Sequence, residues 1–505
     1  MFIYPSVLLD QRSWNKFIKK QVLKGNTRQA IQSYINMQEL GFSADNYTFP
    51  ILLKAAGSAP YSCTGLALHG QTVKTGCCDH VYVQTALLNM YASLRLIDEA
   101  CKVFERIPEK DLVAWNSMLD AYTSSGQMDI AMELFDSMPI KDTSSFNIIV
   151  SGFASTKRIE SARIIFDEIP VKDIVSWNSM ILASTNSGNM VEARTLLEEM
   201  PKTNVITWNT MIRGYLHNQL YTEAINLFDK MKTGTVKPDY LTITGALSAC
   251  AHLRSLETGT KIHSYAISQG QASSPHVVAA IIDMYAKCGS IQNALQVFYK
   301  SQVNDIYCWN AIILGLALHG HGNAALKLFD VMKEKRIRPD DITFIGLLSA
   351  CSHAGFVREG CQLFGCMEKD FRITPKKEHY GCMVDLLSRA WLLDIAFQFI
   401  ETMSFEPGES ILGALLSACV IHEDLKTGEK VMKLLIDTKA DCLSDGEYMM
   451  FANLYASCGK WEEADKWRKM MNDSGIVKTA GCTVIEVHGK FHKFLAGEFA
   501  NYYHD

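Results

Sequence analysis

An aromatic residue followed by asparagine recurs along this chain, three times in succession at an interval of 31 residues, and no feature limits its fold more. The pairs are Trp14-Asn15, Trp115-Asn116, Phe146-Asn147, Trp177-Asn178, Trp208-Asn209 and Trp309-Asn310. Five of the eight tryptophans carry the asparagine. Self-similarity at such a period is the mark of a repeat array. Aligned on the pair, the chain divides into twelve units: 11–45, 46–80, 81–111, 112–142, 143–173, 174–204, 205–239, 240–274, 275–305, 306–340, 341–376 and 377–408. Residues 1–10 precede the array as an N-terminal remnant.

Each unit reads as two helices. In 112–142, Trp115, Met118, Leu119 and Tyr122 fall at i, i+3, i+4 and i+7, one apolar stripe. Gly126 interrupts it, and Ala131, Leu134, Phe135 and Met138 form a second stripe that stops at Pro139. One such pair cannot bury its apolar face alone, but stacked neighbours can. The expected fold is therefore all-α, a right-handed α-solenoid of stacked helix-turn-helix units.

Bulk properties narrow the function. A chain of 505 residues, 48% hydrophobic and 20% charged, is foldable and soluble. No apolar run reaches ~18 residues, so no membrane span is expected. A net charge of −5 argues against nonspecific polyanion binding. The fifteen cysteines show no C-x-x-C spacing and sit in apolar runs such as Ser-Ala-Cys at 248–250, 349–351 and 417–419. They read as small buried residues in a reducing compartment. No histidine is followed two residues later by glutamate, and phosphate-loop, hydrolase-elbow and zinc-protease motifs are missing. No catalytic residue, metal ligand or cofactor is expected.

Units end in Asp45, Asp111, Asp142, Asp173, Asn204, Asp239, Asp305 or Asp340, just before the next first helix. Such residues suit an N-cap, whose side-chain oxygen accepts an orphan backbone N–H. The asparagines do not cap. Asn116 lies five residues beyond Asp111, inside the helix, where asparagine is disfavoured. An amide at one offset in six units suits serial recognition of a polymer.

The 31/35 alternation, the "WNSMI" starts, the units "LSACAHLRSLETGTKIHSY" and "IIDMYAKCGSIQNALQVF" and the "KPD" ends resemble plant pentatricopeptide-repeat proteins of the PLS subclass. The resemblance implies one single-stranded RNA nucleotide per repeat, selected by the fifth and last residues together. It implies uridine over cytidine for Asn15/Asp45, Asn116/Asp142, Asn147/Asp173, Asn209/Asp239 and Asn310/Asp340, cytidine for Asn178/Asn204, and guanosine for Thr85/Asp111. Pro50/His80, Thr244/Ser274, Ala279/Asp305, Ile345/Lys376 and Gly381 depart from the readable pattern. The implied target, 5′ to 3′, is U-n-G-U-U-C-U-n-n-U-n-n. Reading by amides and stacking would supply affinity without a basic excess, and Lys141, Lys172 and Lys202 are candidates for the strand's path or plain solvated surface.

Residues 409–482, including "ESILGALLSACVIHEDLKTGEKVMKLL" and "EYMMFANLYASCGKWEEADKWRKMMNDSGI", resemble the paired E motifs that follow PLS repeats. Residues 483–505 look like the start of the extended E region, and alternating apolar residues around His488-Gly489 signal a short β-hairpin. The tail reads as a cap over the last apolar face and as a docking surface. The resemblance implies a specificity factor rather than an enzyme, recognising sites for cytidine-to-uridine editing of RNA in a plant organelle, chloroplast or mitochondrion. Its implied partners are single-stranded organellar RNA, a DYW-type deaminase protein acting in trans, and multiple organellar RNA editing factors. The alternatives are an organellar RNA stability, splicing or translation factor and a protein-binding tetratricopeptide-like scaffold.

Overall fold

A computed structural model describes residues 10–58, 62–301, 305–439, 443–476, 481–487 and 490–495. The chain forms two compact units, 1–218 and 219–505. Both are α-solenoid: helix follows helix from Gln11–Leu23 to Trp461–Asp473. Within each unit every first helix of a repeat packs on the first helix of the next.

The periodic residues explain the helices they sit in. On Leu112–Ser124 the stripe buries Met118 and Leu119, with Trp115 and Tyr122 packed against the same core. On Met128–Ser137 it buries Ala131 and Phe135. Gly126 turns one helix into the other at φ +79°, a left-handed backbone that costs glycine little. Its N–H donates to the Thr123 carbonyl (3.1 Å), and the Gln127 N–H donates to that of Tyr122 (3.0 Å), closing a Schellman motif. The second helix stops at Met138, extended at ψ 126° before Pro139.

In four of the six aromatic-Asn pairs the aromatic stitches successive repeats together. Its ring meets, edge to face, a phenylalanine on the preceding repeat's second helix. The pairs are Phe104–Trp115 (5.1 Å), Phe135–Phe146 (5.1 Å) and Phe166–Trp177 (5.2 Å), and in the second unit Phe298–Trp309 (4.9 Å). Such a contact contributes about 0.5–1.5 kcal/mol beyond area burial. Lys110, Lys141 and Lys172 fold over those phenylalanines, each 5.0 Å from the ring centroid. Lys141 and Lys172, candidates above for the path of a strand or plain solvated surface, thus cover a ring at the repeat boundary; Lys202 is exposed.

First helices also approach closely through small residues. A Cβ on Gly214 would lie 2.6 Å from the Cβ of Thr185 and 2.4 Å from its Cγ2. Buried cysteines fill the same layer, and burial pushes the thiols of Cys308, Cys351 and Cys419 up to about 12. In the second unit one core runs from Val384 and Leu387 through Leu412 and Leu416 to Phe451, without a break at residue 408. Strands Cys482–Val487 and Lys490–Leu495 pair antiparallel, Cys482 opposite Leu495 and Val487 opposite Lys490. The expected turn at His488-Gly489, the N-terminal remnant up to residue 9 and the stretch after 495 lie outside the described residues.

Candidate nucleic-acid interface

The repeat-ending aspartates from Asp111 onward are N-caps, and Asp45 stands two residues ahead of the cap position at Tyr47. Asp142 Oδ1 accepts the Ser145 N–H (2.8 Å) and hydroxyl (2.8 Å), and the Ser145 Oγ accepts the Asp142 N–H (3.3 Å). The same reciprocal box forms at Asp173/Ser176, Asn204/Thr207, Asp239/Thr242 and Asp340/Thr343. Asp111 caps through the Ala114 N–H (2.8 Å), and Asp305 accepts from the Tyr307 N–H (2.9 Å). Asp45 accepts the N–H groups of Tyr47 (3.0 Å) and Thr48 (2.8 Å). Capping satisfies donors that a helix start would otherwise leave without partners.

The asparagine of the same repeat then joins the cap. Asn15 Nδ2 donates to Asp45 (3.3 Å), Asn116 to Asp142 (3.2 Å) and Asn147 to Asp173 (3.2 Å). Asn310 Nδ2 reaches both oxygens of Asp340, at 3.0 and 3.2 Å. The next repeat's capping hydroxyl shares its one proton between the cap carboxylate and the amide oxygen, Thr48 lying 2.8 Å from Asn15 Oδ1, Ser145 2.7 Å from Asn116 Oδ1 and Thr343 2.6 Å from Asn310 Oδ1. The amides of Asn15, Asn116 and Asn310 therefore bridge the end of their own repeat and the start of the next, whereas the Asn147 amide oxygen is buried without a partner among the described residues. The amide is drawn into the cap rather than standing free on the face. Asn147 and Asn310 are buried, at 7% and 5% exposure, and Asn15, Asn116, Asn178 and Asn209 are half-buried. A polar group drawn in this far needs partners, and the cap supplies one to the Asn147 nitrogen and to both ends of the Asn310 amide.

Electrostatics follow the bonding. Burial would raise the carboxyl of Asp142, but the Ser145 hydroxyl and N–H and the Asn116 amide outweigh it and hold it below its ordinary value. Asp45 and Asp173 are lowered by the same balance. In these three pairs every bond runs to Oδ1, and Oδ2 takes none among the described residues.

Two pairs differ. Asn204 Oδ1 accepts the Thr207 N–H (2.9 Å) and hydroxyl (3.0 Å), while Asn178 Oδ1 is buried without a partner among the described residues. With an amide in place of a carboxylate at the last position, the pair has one acceptor oxygen fewer. Thr85 spends its hydroxyl on the Val81 carbonyl (3.0 Å), yet it lines one cleft with Asp111, Tyr82 and Val113. Asn209 lies in the first compact unit and Asp239 in the second.

The structure adds residues not singled out from the sequence. Three positions before Asn116, Asn178, Asn209 and Asn310, and before Thr85, stands an apolar side chain held in solvent: Val113 and Val175 are 56% exposed, Ile206 62%, Tyr307 51% and Tyr82 69%; Arg12 and Ser144 hold that position before Asn15 and Asn147. Their signal was present, since they are apolar yet out of phase with the core stripe. Asp10 caps the first helix through the Ser13 N–H (2.8 Å), like the repeat-ending aspartates. Among the described residues no group of three or more His, Cys, Asp or Glu could hold a metal ion.

Helix pairs stacked in series, with a polar pair recurring at one offset in several of them, define a modular helical-repeat protein. Comparison with known proteins gives the class its family. Residues 203–252 and 304–353 match the PPR repeat family. PPR repeats match at 85–112, 113–142, 144–174, 175–205, 279–306 and 342–370, and an E motif at 422–486. In Arabidopsis thaliana, pentatricopeptide repeat-containing protein At5g56310 is 36% identical over 94% of this chain and 77% of its own length. At1g08070, chloroplastic, is 36% identical over 98% and 71%. At1g05750, chloroplastic, is 40% identical over 54% of each chain, so the chain spans about half the length of that relative. Maize PPR10 superposes with a TM-score of 0.57 at 18% identity, over 94% of this chain and 76% of that one. PPR10 in complex with an 18-nt psaJ RNA element gives 0.52, over 94% and 71%. This chain belongs to the pentatricopeptide repeat family, in its PLS type with an E motif.

Proposed function

We propose that this protein binds single-stranded RNA by sequence, one nucleotide per repeat, and marks sites for cytidine-to-uridine editing in a plant organelle. The observation that carries the reading is the asparagine–aspartate pair, in which the amide nitrogen donates to the carboxylate at Asn15/Asp45, Asn116/Asp142, Asn147/Asp173 and Asn310/Asp340. An amide nitrogen has two N–H groups. One is spent on the aspartate, which leaves the second for a base carbonyl. At Asp45, Asp142 and Asp173 the Oδ2 is left to accept a ring N–H, and uracil offers both groups on one edge; at Asp340 the Oδ2 is shared with the Asn310 amide. At Asn178/Asn204 the cap takes the Asn204 oxygen, which leaves its NH2 to donate to the ring nitrogen of cytosine. Thr85/Asp111 is assigned guanosine by family resemblance, and Asn209/Asp239 uridine. The exposed Tyr82, Val113, Val175, Ile206 and Tyr307 supply flat or branched apolar surface on which bases stack.

The RNA complex of PPR10 and the chloroplastic names of several relatives support the ligand and an organellar setting. The E motif supports a role in which the tail recruits a DYW-type deaminase in trans, with organellar RNA editing factors as further partners. Gel shifts on the matched RNA U-n-G-U-U-C-U-n-n-U-n-n, a scrambled RNA, a duplex and single-stranded DNA test the binding. Preference for the matched RNA is expected, and equal affinity for matched and scrambled strands overturns the reading. Sequencing organellar transcripts from plants lacking the protein tests the editing role; an unchanged editing pattern with altered transcript abundance would instead indicate a stability factor.

A further inference from the structure

The loop after helix Gly322–Glu334 and the end of helix Val357–Phe371 face each other across a cleft rimmed by Lys333, Arg336, Arg338 and Arg372. The only carboxylate lining it among the described residues is Asp370. Lys333 is already paired with Asp330 (2.8 Å) and lies over the Phe329 ring (4.8 Å). Arg338 is fixed across the cleft, where its Nη2 donates to the Phe371 carbonyl (3.3 Å). That bond also quenches a helix-terminal carbonyl that would otherwise repel an anion. Arg336 and Arg372 are exposed, and their side chains take no hydrogen bond among the described residues. Both are held at left-handed backbone, φ +56° and +57°.

Cations beside helix C-termini can simply complement the dipole. That accounts for one charge per helix, not for guanidinium groups from two repeats converging on one cleft in a chain of net charge −5. Another cleft of the same unit shows the ordinary balance, with Lys430 and Lys433 beside Asp394, Glu401 and Asp437. The position matters too. Arg338 and Pro339 directly precede Asp340, the partner of Asn310, and the following repeats carry Ile345 and Gly381 where an asparagine would stand. The basic cleft stands where the series of amide pairs ends.

We propose that this cleft binds a phosphate group, through the guanidinium forks of Arg336 and Arg372. In the RNA complex, which rests on the function proposed above, the group is the backbone phosphodiester beside the nucleotide at Asn310/Asp340. Backbone contacts of this kind fix the register of a strand without reading its sequence.

The test is the full-length double variant Arg336→Gln/Arg372→Gln, with exposed Lys466→Gln as control. On matched RNA, the double variant is expected to lose several-fold affinity at low salt. Its slope of log affinity against log salt should fall by about 0.7, the share of one phosphate in a single strand. Base preferences should stay unchanged, and Lys466→Gln should do none of this. A neutral methylphosphonate at that linkage should reproduce the loss in wild type and add nothing in the variant. Without RNA, calorimetry with tripolyphosphate should show saturable binding that the double variant loses. This arm decides the cleft even where wild type binds no RNA, an outcome that defeats only the RNA reading. Tripolyphosphate binding together with an unchanged RNA salt slope assigns the cleft to a free phosphate and overturns the backbone assignment. Unchanged salt slope and unchanged tripolyphosphate binding overturn the cleft altogether.

Discussion

Asn204 shows how one side chain serves fold and recognition together. Its oxygen caps helix Val205–His217, and its amide nitrogen is the group assigned to cytosine. Aspartate caps as well as asparagine, so Asn204→Asp should leave the thermal midpoint unchanged. It should also swap a donor for an acceptor and shift the sixth target base from cytidine toward uridine, other positions being unaffected. A well-matched base contact is worth about 1–3 kcal/mol in a DNA groove, and a solvent-exposed strand should show that or less. Binding curves on RNAs differing only at that base measure it; an unmoved cytidine-to-uridine ratio leaves Asn204 a cap and nothing more. The aspartates give a second outcome at this scale. The Asp45, Asp142 and Asp173 carboxyls lie below their ordinary value of 3.8 in the folded chain. A carboxyl lowered by folding stabilises above its unfolded pKa, and that contribution is lost as pH falls through the folded one. The thermal midpoint should therefore be level above about pH 5 and drop as pH falls below 4. Asp142→Asn keeps the cap and should flatten part of that drop; an identical pH profile would show that this carboxylate contributes nothing.

Between helices, contact distance decides. Gly214 and Gly70 both sit inside helices, where alanine is ordinarily better by about 1 kcal/mol. Nothing lies within 4 Å of a Cβ on Gly70, so Gly70→Ala should raise the thermal midpoint. On Gly214 the added Cβ meets the Cβ of Thr185 at 2.6 Å, an atom close to the backbone that cannot swing away. Gly214→Ala should then destabilise, by about 1–3 kcal/mol, since overpacking forces the helices apart. Urea melts of the two variants should move in opposite directions, and a shared sign would refute the close approach. Both glycines look alike in the sequence. The difference is a contact 29 residues away along the chain.

At the scale of the molecule, the array and its tail share one core. Val384 and Leu387 of repeat 377–408 pack with Leu412, Leu416 and Phe451 of the segment after it. Ending the chain at residue 408 would uncover that face rather than separate two parts. The truncated chain should melt several degrees lower and self-associate, as calorimetry and light scattering would report. A monomer with an unchanged midpoint would mean the tail is an appendage, and loss of editing on truncation could then be assigned to docking alone.

The twelve helix pairs, their turns and their caps were legible because each is local. A 3.6-residue period, a glycine at a turn and an aspartate before a helix act within a few residues. So was the recurrence of asparagine, which singled out Asn116 and its equivalents. What became of that asparagine was not legible. Its partners, Asp142 and Ser145, lie 26 and 29 residues on, and only stacking brings them to one another. The sequence alone suggested a displayed amide; packing turned it inward, because a half-buried amide beside a capping carboxylate is more stable bonded than bare. The exposed Val113 and Tyr307 became distinguishable from core residues only once the buried face was known. The basic cleft draws Lys333, Arg336 and Arg338 from one repeat and Arg372 from the next. Local order follows from near neighbours in the chain, whereas burial and charge convergence depend on which repeats end up side by side.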